Sequence, residues 1–179
     1  NLLLFPCILL IFYPTVFGIQ NDEDNRILEI LFGIPNYKYK VWGVRLLLIY
    51  VAIFFALIVF GYIGNYLLYP INPFDMAVQL MFPALFLGTL AFLVSTLTRS
   101  GNGTAVIMII LGIAMFFLDA GYLYSSPWNV LLNPYKIEQG LHPAIWESYI
   151  VQNRIFLIVG SVVFLLFGLL NLQKRERFV

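Results

Sequence analysis

Five long stretches of this sequence are apolar and, apart from Asp119, carry no charged residue. They cover residues 2–19, 46–69, 76–98, 101–120 and 155–173. A helix of about 20 residues crosses the hydrocarbon core of a bilayer. Lipid leaves no water for unpaired backbone groups, and none of the stretches alternates like a barrel strand. The sequence therefore predicts an all-α integral membrane protein, a single domain over residues 1–179 with five transmembrane helices.

The composition agrees with this class and excludes several functions. Hydrophobic residues make up 61% of the chain and charged residues 11%, with a mean hydropathy of +0.91, far from the usage of soluble domains. The net charge of +1 gives no basis for expecting a nucleic-acid partner. Cys7 is the only cysteine, so neither an intrachain disulfide nor a cysteine metal site is expected.

The basic residues between the spans predict the orientation of the chain. Ten are present, and eight lie in connections or tails that fall on one side: Arg26, Lys38, Lys40, Arg45, Arg99, Lys174, Arg175 and Arg177. Lys136 and Arg154 lie toward the other side. Because cytoplasmic connections are enriched in Lys and Arg, the sequence predicts a cell-membrane protein with a cytoplasmic C-terminus. Residues 21–45 are then cytoplasmic and residues 121–153 external.

The cytoplasmic segment begins with a charged run, "NDEDNR", followed by apolar residues. Asn21 or Asp22 can cap a helix, and the three acids that begin at Asp22 suit the positive end of that helix. Gly33 and Pro35 predict its end. Such a helix has an acidic tip and an apolar base, which fits either a passive connector or a docking element.

Aromatic and basic residues then lead into the second predicted span. These residues are Tyr37, Lys38, Tyr39, Lys40 and Trp42. Tyrosine and tryptophan are enriched at the interface between membrane and water. We therefore expect an interfacial collar here.

The stretch "NRILEILFGIPNYKYKVWGVRLLL" resembles the segment between the second and third spans of type-2 ABC transporter permeases. The features in common are a Leu-Glu pair at Leu28 and Glu29, an apolar turn at 30–32, Pro35, and a basic residue before the next span. That residue is Arg45 here, where the family usually has Lys. The specific similarity covers about residues 22–46, and the order of the spans is similar throughout.

The resemblance implies six spans, so this chain looks like a permease without its first span. It also implies that the acidic segment belongs to a coupling helix that contacts a separate ABC ATPase subunit, which carries ATP and Mg. The coupling residues would be Asp22, Glu23, Asp24, Arg26, Leu28, Glu29, Leu31 and Pro35. No GxxxxGK[ST] loop occurs in this chain, so we expect a transport subunit that is not itself an enzyme and binds no cofactor.

Small residues recur on one face of the third predicted span. Ala84, Gly88, Ala91 and Ser95 follow at intervals of four, three and four residues. Such a face lets helices approach closely in lipid. It serves either packing within the chain or the contact with a second permease chain, in a homo- or heterodimer.

Two polar residues within the spans are candidates for a pathway or gate, namely Asn65 and Asp119. Acids within membranes are costly and therefore candidates for function. Capping of a span end by Asp119 and contact between helices by Asn65 are the plainer alternatives. In the external segment, His142 with Glu138 and Glu147 matches no metal or catalytic spacing, and the resemblance implies short re-entrant or interfacial helices there.

The function predicted from these features is a permease subunit of an ATP-driven exporter that forms its pathway as a dimer. The apolar spans favour a hydrophobic or amphiphilic cargo, although surfaces that face membrane lipid have the same composition. A membrane scaffold or assembly subunit that transports nothing is the alternative. An integral membrane enzyme would need converging His, Asp or Glu side chains, which the spans lack.

Overall fold

The computed structural model describes residues 4–24, 38–67, 72–121, 126–136 and 142–172 of the chain. Its helices are α1 (Leu4–Asp24), α2 (Val44–Leu67), α3 (Pro73–Thr98), α4 (Gly101–Ala120) and α5 (Pro143–Asn171). A π-helical segment, Lys38–Gly43, leads directly into α2. No strand occurs within these ranges, so the predicted all-α class is confirmed.

Among the described residues, four helical stretches are long and apolar enough to cross a membrane: Tyr39–Tyr66, Pro73–Thr98, Gly101–Leu118 and Pro143–Asn171. These four support a multi-pass membrane protein. The predicted span 2–19 coincides with α1, which is not among the four. The last described turns of α1 contain Gln20, Asn21 and Asp22, and these polar residues lower its hydropathy.

Helix α3 is the centre of the bundle and packs against each of the other four helices. It is the most buried of the four long apolar stretches, and α4 is the least buried. The exposed face of α4 is correspondingly apolar and includes Ile109, Ile113 and Phe116. An apolar exposed face suits contact with lipid.

The helix ends follow local capping rules. Asn72 caps α3 by accepting a hydrogen bond from the Phe74 N–H at 3.1 Å, and Pro73 occupies its first turn. The helix ends at Arg99, whose left-handed φ of 56° is the only positive value among the described non-glycine residues. Ser100 then caps α4 by accepting from the Gly103 N–H at 3.2 Å. Only Arg99 and Ser100 therefore separate α3 from α4.

His142 is the cap of α5, because its Nδ1 accepts a hydrogen bond from the Ala144 N–H at 3.3 Å. His142 therefore has a structural role at the start of α5. The described residues contain no group of three or more His, Cys, Asp or Glu side chains that could hold a metal ion.

The predicted helix start at Asn21 or Asp22 is wrong, because α1 continues through both residues to Asp24. The three acids therefore lie at the negative end of α1, where a helix dipole disfavours them. Arg45 offsets this cost by pairing with Asp22. Residues 25–37, which hold the rest of the predicted coupling helix, are outside the described part of the chain.

Candidate functional site

An ion pair joins the end of α1 to the start of α2. Nη1 of Arg45 donates to both carboxylate oxygens of Asp22, at 3.0 Å and 2.8 Å. The Asp22 side chain is 6% exposed and that of Arg45 is 43% exposed. The pair therefore bridges the two helices on either side of segment 25–37.

Trp42 lies beneath this ion pair and is 2% exposed. The guanidinium of Arg45 is 5.1 Å from the centroid of its ring, and the Phe92 ring is 5.9 Å away. A Cβ on Gly18 would lie 3.6 Å from the indole, an ordinary van der Waals distance, so the ring packs against α1 at this position. The prediction that Trp42 belongs to an interfacial collar is therefore wrong. Tyr39 and Lys40 are exposed.

The end of α1 is also tied to α3 and α4. Gln20 Oε1 accepts a hydrogen bond from the Gly101 N–H at 2.6 Å, and Ser95 Oγ donates to the Val16 carbonyl at 3.0 Å. Together with the Asp22–Arg45 pair, these bonds fix the last turns of α1 to three other helices. We call this group, Gln20, Asp22, Trp42 and Arg45, the α1–α2 clasp.

The predicted coupling residues are not all exposed at one surface. Asp22 is buried in the clasp, which corrects the expectation that it is presented to a partner. Asp24 is exposed, and its Oδ2 accepts a hydrogen bond from Gln20 Nε2 at 3.5 Å. Glu23 lies between them in the last turn of α1. Arg26, Leu28, Glu29, Leu31 and Pro35 fall in the segment that the structure does not describe.

The four small residues of α3 are buried inside the bundle: Ala84, Gly88, Ala91 and Ser95. A Cβ built on Gly88 would lie 2.5 Å from Cδ1 of Ile11 on α1 and 2.7 Å from the hydroxyl of Tyr50 on α2. This face therefore packs within the chain, which favours the first of the two uses that the spacing allowed.

The two pathway candidates are near helix ends. Asn65 is exposed and lies in the last turn of α2. Asp119 is in the last turn of α4, and its side chain is outside the described set.

Sequence reasoning missed a second polar cluster, at the opposite end of the bundle from the clasp. Arg154 on α5 is 8% exposed, and its Nε donates to Gln79 Oε1 on α3 at 2.9 Å. Its Nη1 donates to Asn153 Oδ1, also at 2.9 Å. The guanidinium carbon is 5.0 Å from the centroid of the Phe82 ring. The only signal in the sequence is an Asn-Arg pair immediately before an uncharged stretch.

The same cluster holds the loop 126–136 against α5. Asn153 Nδ2 donates to the carbonyls of Pro127 and Asn129, at 2.9 Å and 2.7 Å. Trp146 Nε1 donates to the Pro134 carbonyl at 3.3 Å, and Trp146 is 5% exposed. The loop consists of turns, whereas residues 143–153 of the predicted external segment form the first turns of the long helix α5. Trp146 is therefore packed beneath the loop.

Replacing Asn153 with Ala should free this loop, because it removes both bonds to loop carbonyls. Each bond contributes about 1 kcal/mol, so we expect the stability of the docked loop to fall by about 2 kcal/mol. Hydrogen exchange in the 126–136 backbone should become faster. The matched control is Gln152→Ala, since exposed Gln152 makes only a 3.4 Å contact with Ser148. Equal exchange in the two variants would contradict the role of Asn153.

Comparison with protein-family models, with curated proteins and with solved structures found no match for this chain. Its function is therefore inferred from the residues themselves and from the geometry of the clasp and the Arg154 cluster.

Proposed function

We propose that this chain is the membrane-spanning subunit of an ATP-driven exporter of the type-2 ABC class. It acts with a second permease chain and with a separate ATPase subunit. Four described helices that are long and apolar enough to cross a membrane, and the resemblance over residues 22–46, support this proposal. The predominantly apolar helices favour a hydrophobic or amphiphilic cargo.

The α1–α2 clasp is the observation that carries the proposal. Segment 25–37 connects Asp24 at the end of α1 to Lys38 before α2, and the Asp22–Arg45 pair joins these two helices with a 2.8 Å contact. Without this ion pair, segment 25–37 could move without displacing both helices. Because the ion pair links the end of α1 to the start of α2, a force on the segment moves both helix ends together.

The basic residues give the orientation in this proposal. The clasp and the C-terminus face the cytoplasm of a cell membrane, and the Arg154 cluster faces outward. ATP binding by the partner would then act on segment 25–37 from the cytoplasm. Asp24 is exposed and available for contact with the ATPase, and the charged residues Arg26 and Glu29 follow it in the sequence.

The proposal is tested by purifying the full-length protein in nanodiscs and identifying the cytoplasmic subunit that accompanies it. We expect an ATPase with a phosphate-binding loop. Glu29→Lys, or Leu28→Asp combined with Leu31→Asp, should remove this partner or uncouple its hydrolysis from transport, because these changes reverse the charge or polarity of the contact.

Glu147→Lys is the matched control, because Glu147 is exposed on α5 at the other end of the bundle. This variant should keep the ATPase and its coupling. A protein that purifies without any nucleotide-binding subunit would favour the scaffold alternative. Normal transport by the segment variants would exclude the coupling role of residues 28–31.

A further inference from the structure

Arg154 is a buried cation whose observed partners are neutral. Its hydrogen bonds go to the amide oxygens of Gln79 and Asn153, and its third contact is the Phe82 ring. No carboxylate in the described parts of the chain forms an ion pair with it. A buried charge is costly unless a counter-charge compensates it. The position therefore provides a positive charge that the described residues do not neutralise.

The guanidinium of Arg154 also has donors that the described residues do not use. It carries five N–H groups, and the described residues accept from one on Nε and one on Nη1, which leaves three. No described residue accepts from Nη2. The contacts with Gln79, Asn153 and Phe82 fix the plane of the group. A fixed planar guanidinium is suited to bind a carboxylate or phosphate through two parallel hydrogen bonds.

The surroundings of Arg154 suit an anionic group attached to an apolar chain. An uncharged stretch begins directly after it, and three residues there, Ile155, Ile158 and Val162, are between 45% and 57% exposed. This apolar face extends along α5 from the level of the guanidinium. An anionic headgroup at Arg154 would therefore have room for its chain beside α5.

Tyr135, in the loop above the cluster, supplies a second donor near this level. Burial raises the pKa of its phenol, the negative charge of Asp75 raises it further, and the positive charge of Arg154 opposes both. The net shift is upward, so the hydroxyl stays protonated at neutral pH. The side chain is 49% exposed, which leaves it open to a ligand from outside.

We propose that Arg154 binds the phosphate or carboxylate group of an anionic amphiphile, with the apolar chain of that amphiphile along α5. The site is a property of this chain alone and does not depend on the proposed transport function. A soluble anion has the same headgroup chemistry, and the experiment separates the two sources.

The test uses the full chain in nanodiscs of phosphatidylcholine, with or without an equal amount of phosphatidylglycerol. Phosphatidylglycerol should raise the Tm of the wild type and leave that of Arg154→Gln unchanged. Native mass spectrometry should show retention of phosphatidylglycerol reduced about tenfold in the variant, the effect of one hydrogen bond to a charged group. Arg99→Gln removes a charge from an exposed position at the clasp end and should behave like the wild type.

Several results would overturn the proposal. A purely structural Arg154 predicts that Arg154→Gln lowers the Tm equally in both membranes and still retains phosphatidylglycerol. Loss of the lipid effect in Arg99→Gln would indicate general surface attraction. An equal rise in Tm with soluble glycerophosphate or inorganic phosphate, in phosphatidylcholine alone, would assign the site to a soluble anion and exclude the amphiphile.

Arg154→Lys keeps the test decisive if Arg154→Gln does not fold. Lysine preserves the charge and loses the planar fork, so retention of phosphatidylglycerol should fall several-fold and the rise in Tm should shrink. Retention equal to that of the wild type would contradict a site built on the guanidinium.

Discussion

Gly88→Leu should destabilise the bundle by about 3 kcal/mol or more, because its side chain would overlap atoms of two neighbouring helices. The first atom of the new side chain would lie 2.5 Å from Ile11 Cδ1, 2.8 Å from Ile11 Cγ1 and 2.7 Å from the Tyr50 hydroxyl. These atoms belong to α1 and α2, so relief of the clash requires both helices to move away from α3. Thermal unfolding in nanodiscs, followed by tryptophan fluorescence, would measure the loss.

The matched control is Gly112→Leu on α4. A Cβ at Gly112 meets no atom within 4 Å, so the same substitution in another helix should leave the Tm nearly unchanged. The comparison separates the clash from the general effect of replacing a helical glycine, which favours the helix in both variants. Equal Tm values for the two variants would show that α1, α2 and α3 do not pack as described.

Arg45→Ala should have an effect of similar size, a loss of about 3 kcal/mol, because it leaves the buried Asp22 carboxylate without its partner. We expect the lower end of the usual range, since Arg45 is 43% exposed and water can partly replace it. The change also removes the cation above the Trp42 ring. Chemical or thermal unfolding of the purified protein would measure the loss.

Replacing the other partner of the ion pair, Asp22→Asn, should lower the free energy of unfolding by only about 1 kcal/mol. It leaves the charge on Arg45, the more exposed partner, and keeps an oxygen that can accept a hydrogen bond. The double variant, with both Asp22→Asn and Arg45→Ala, should then be more stable than Arg45→Ala alone, because it no longer buries an unpaired carboxylate. Additive losses from the two single changes would show that the ion pair contributes no coupling energy.

The class of fold could be predicted from the sequence because the membrane leaves few alternatives. Apolar stretches about 20 residues long, without strand alternation, can satisfy their backbone groups only as helices. The spacing of Ala84, Gly88, Ala91 and Ser95 likewise depends only on local helix geometry. Which helix covers that face depends on contacts between distant parts of the chain. The spacing therefore predicted the packing face and left its partner open.

The predictions that were wrong or missing also concern residues whose positions depend on contacts between distant parts of the chain. Local capping rules placed Asp22 at the start of a helix, but Arg45, 23 residues later, stabilises it at the end of one. Trp42 was assigned to the membrane interface by residue type, whereas it is buried against Phe92 on α3 and against α1 near Gly18. The Asn-Arg pair was the only local signal of the Arg154 cluster, because the partner Gln79 is 75 residues away.

The two-residue connection between α3 and α4 has a consequence for membrane insertion. Arg99 and Ser100 together span about 7 Å at most, so neither helix can be placed in the bilayer far from the other. During synthesis the pair should leave the translocation machinery as one antiparallel hairpin. Its α4 arm is stable against lipid, and its α3 arm presents the surfaces on which the remaining helices assemble. The order of biogenesis is thus constrained by the shortest connection in the described chain.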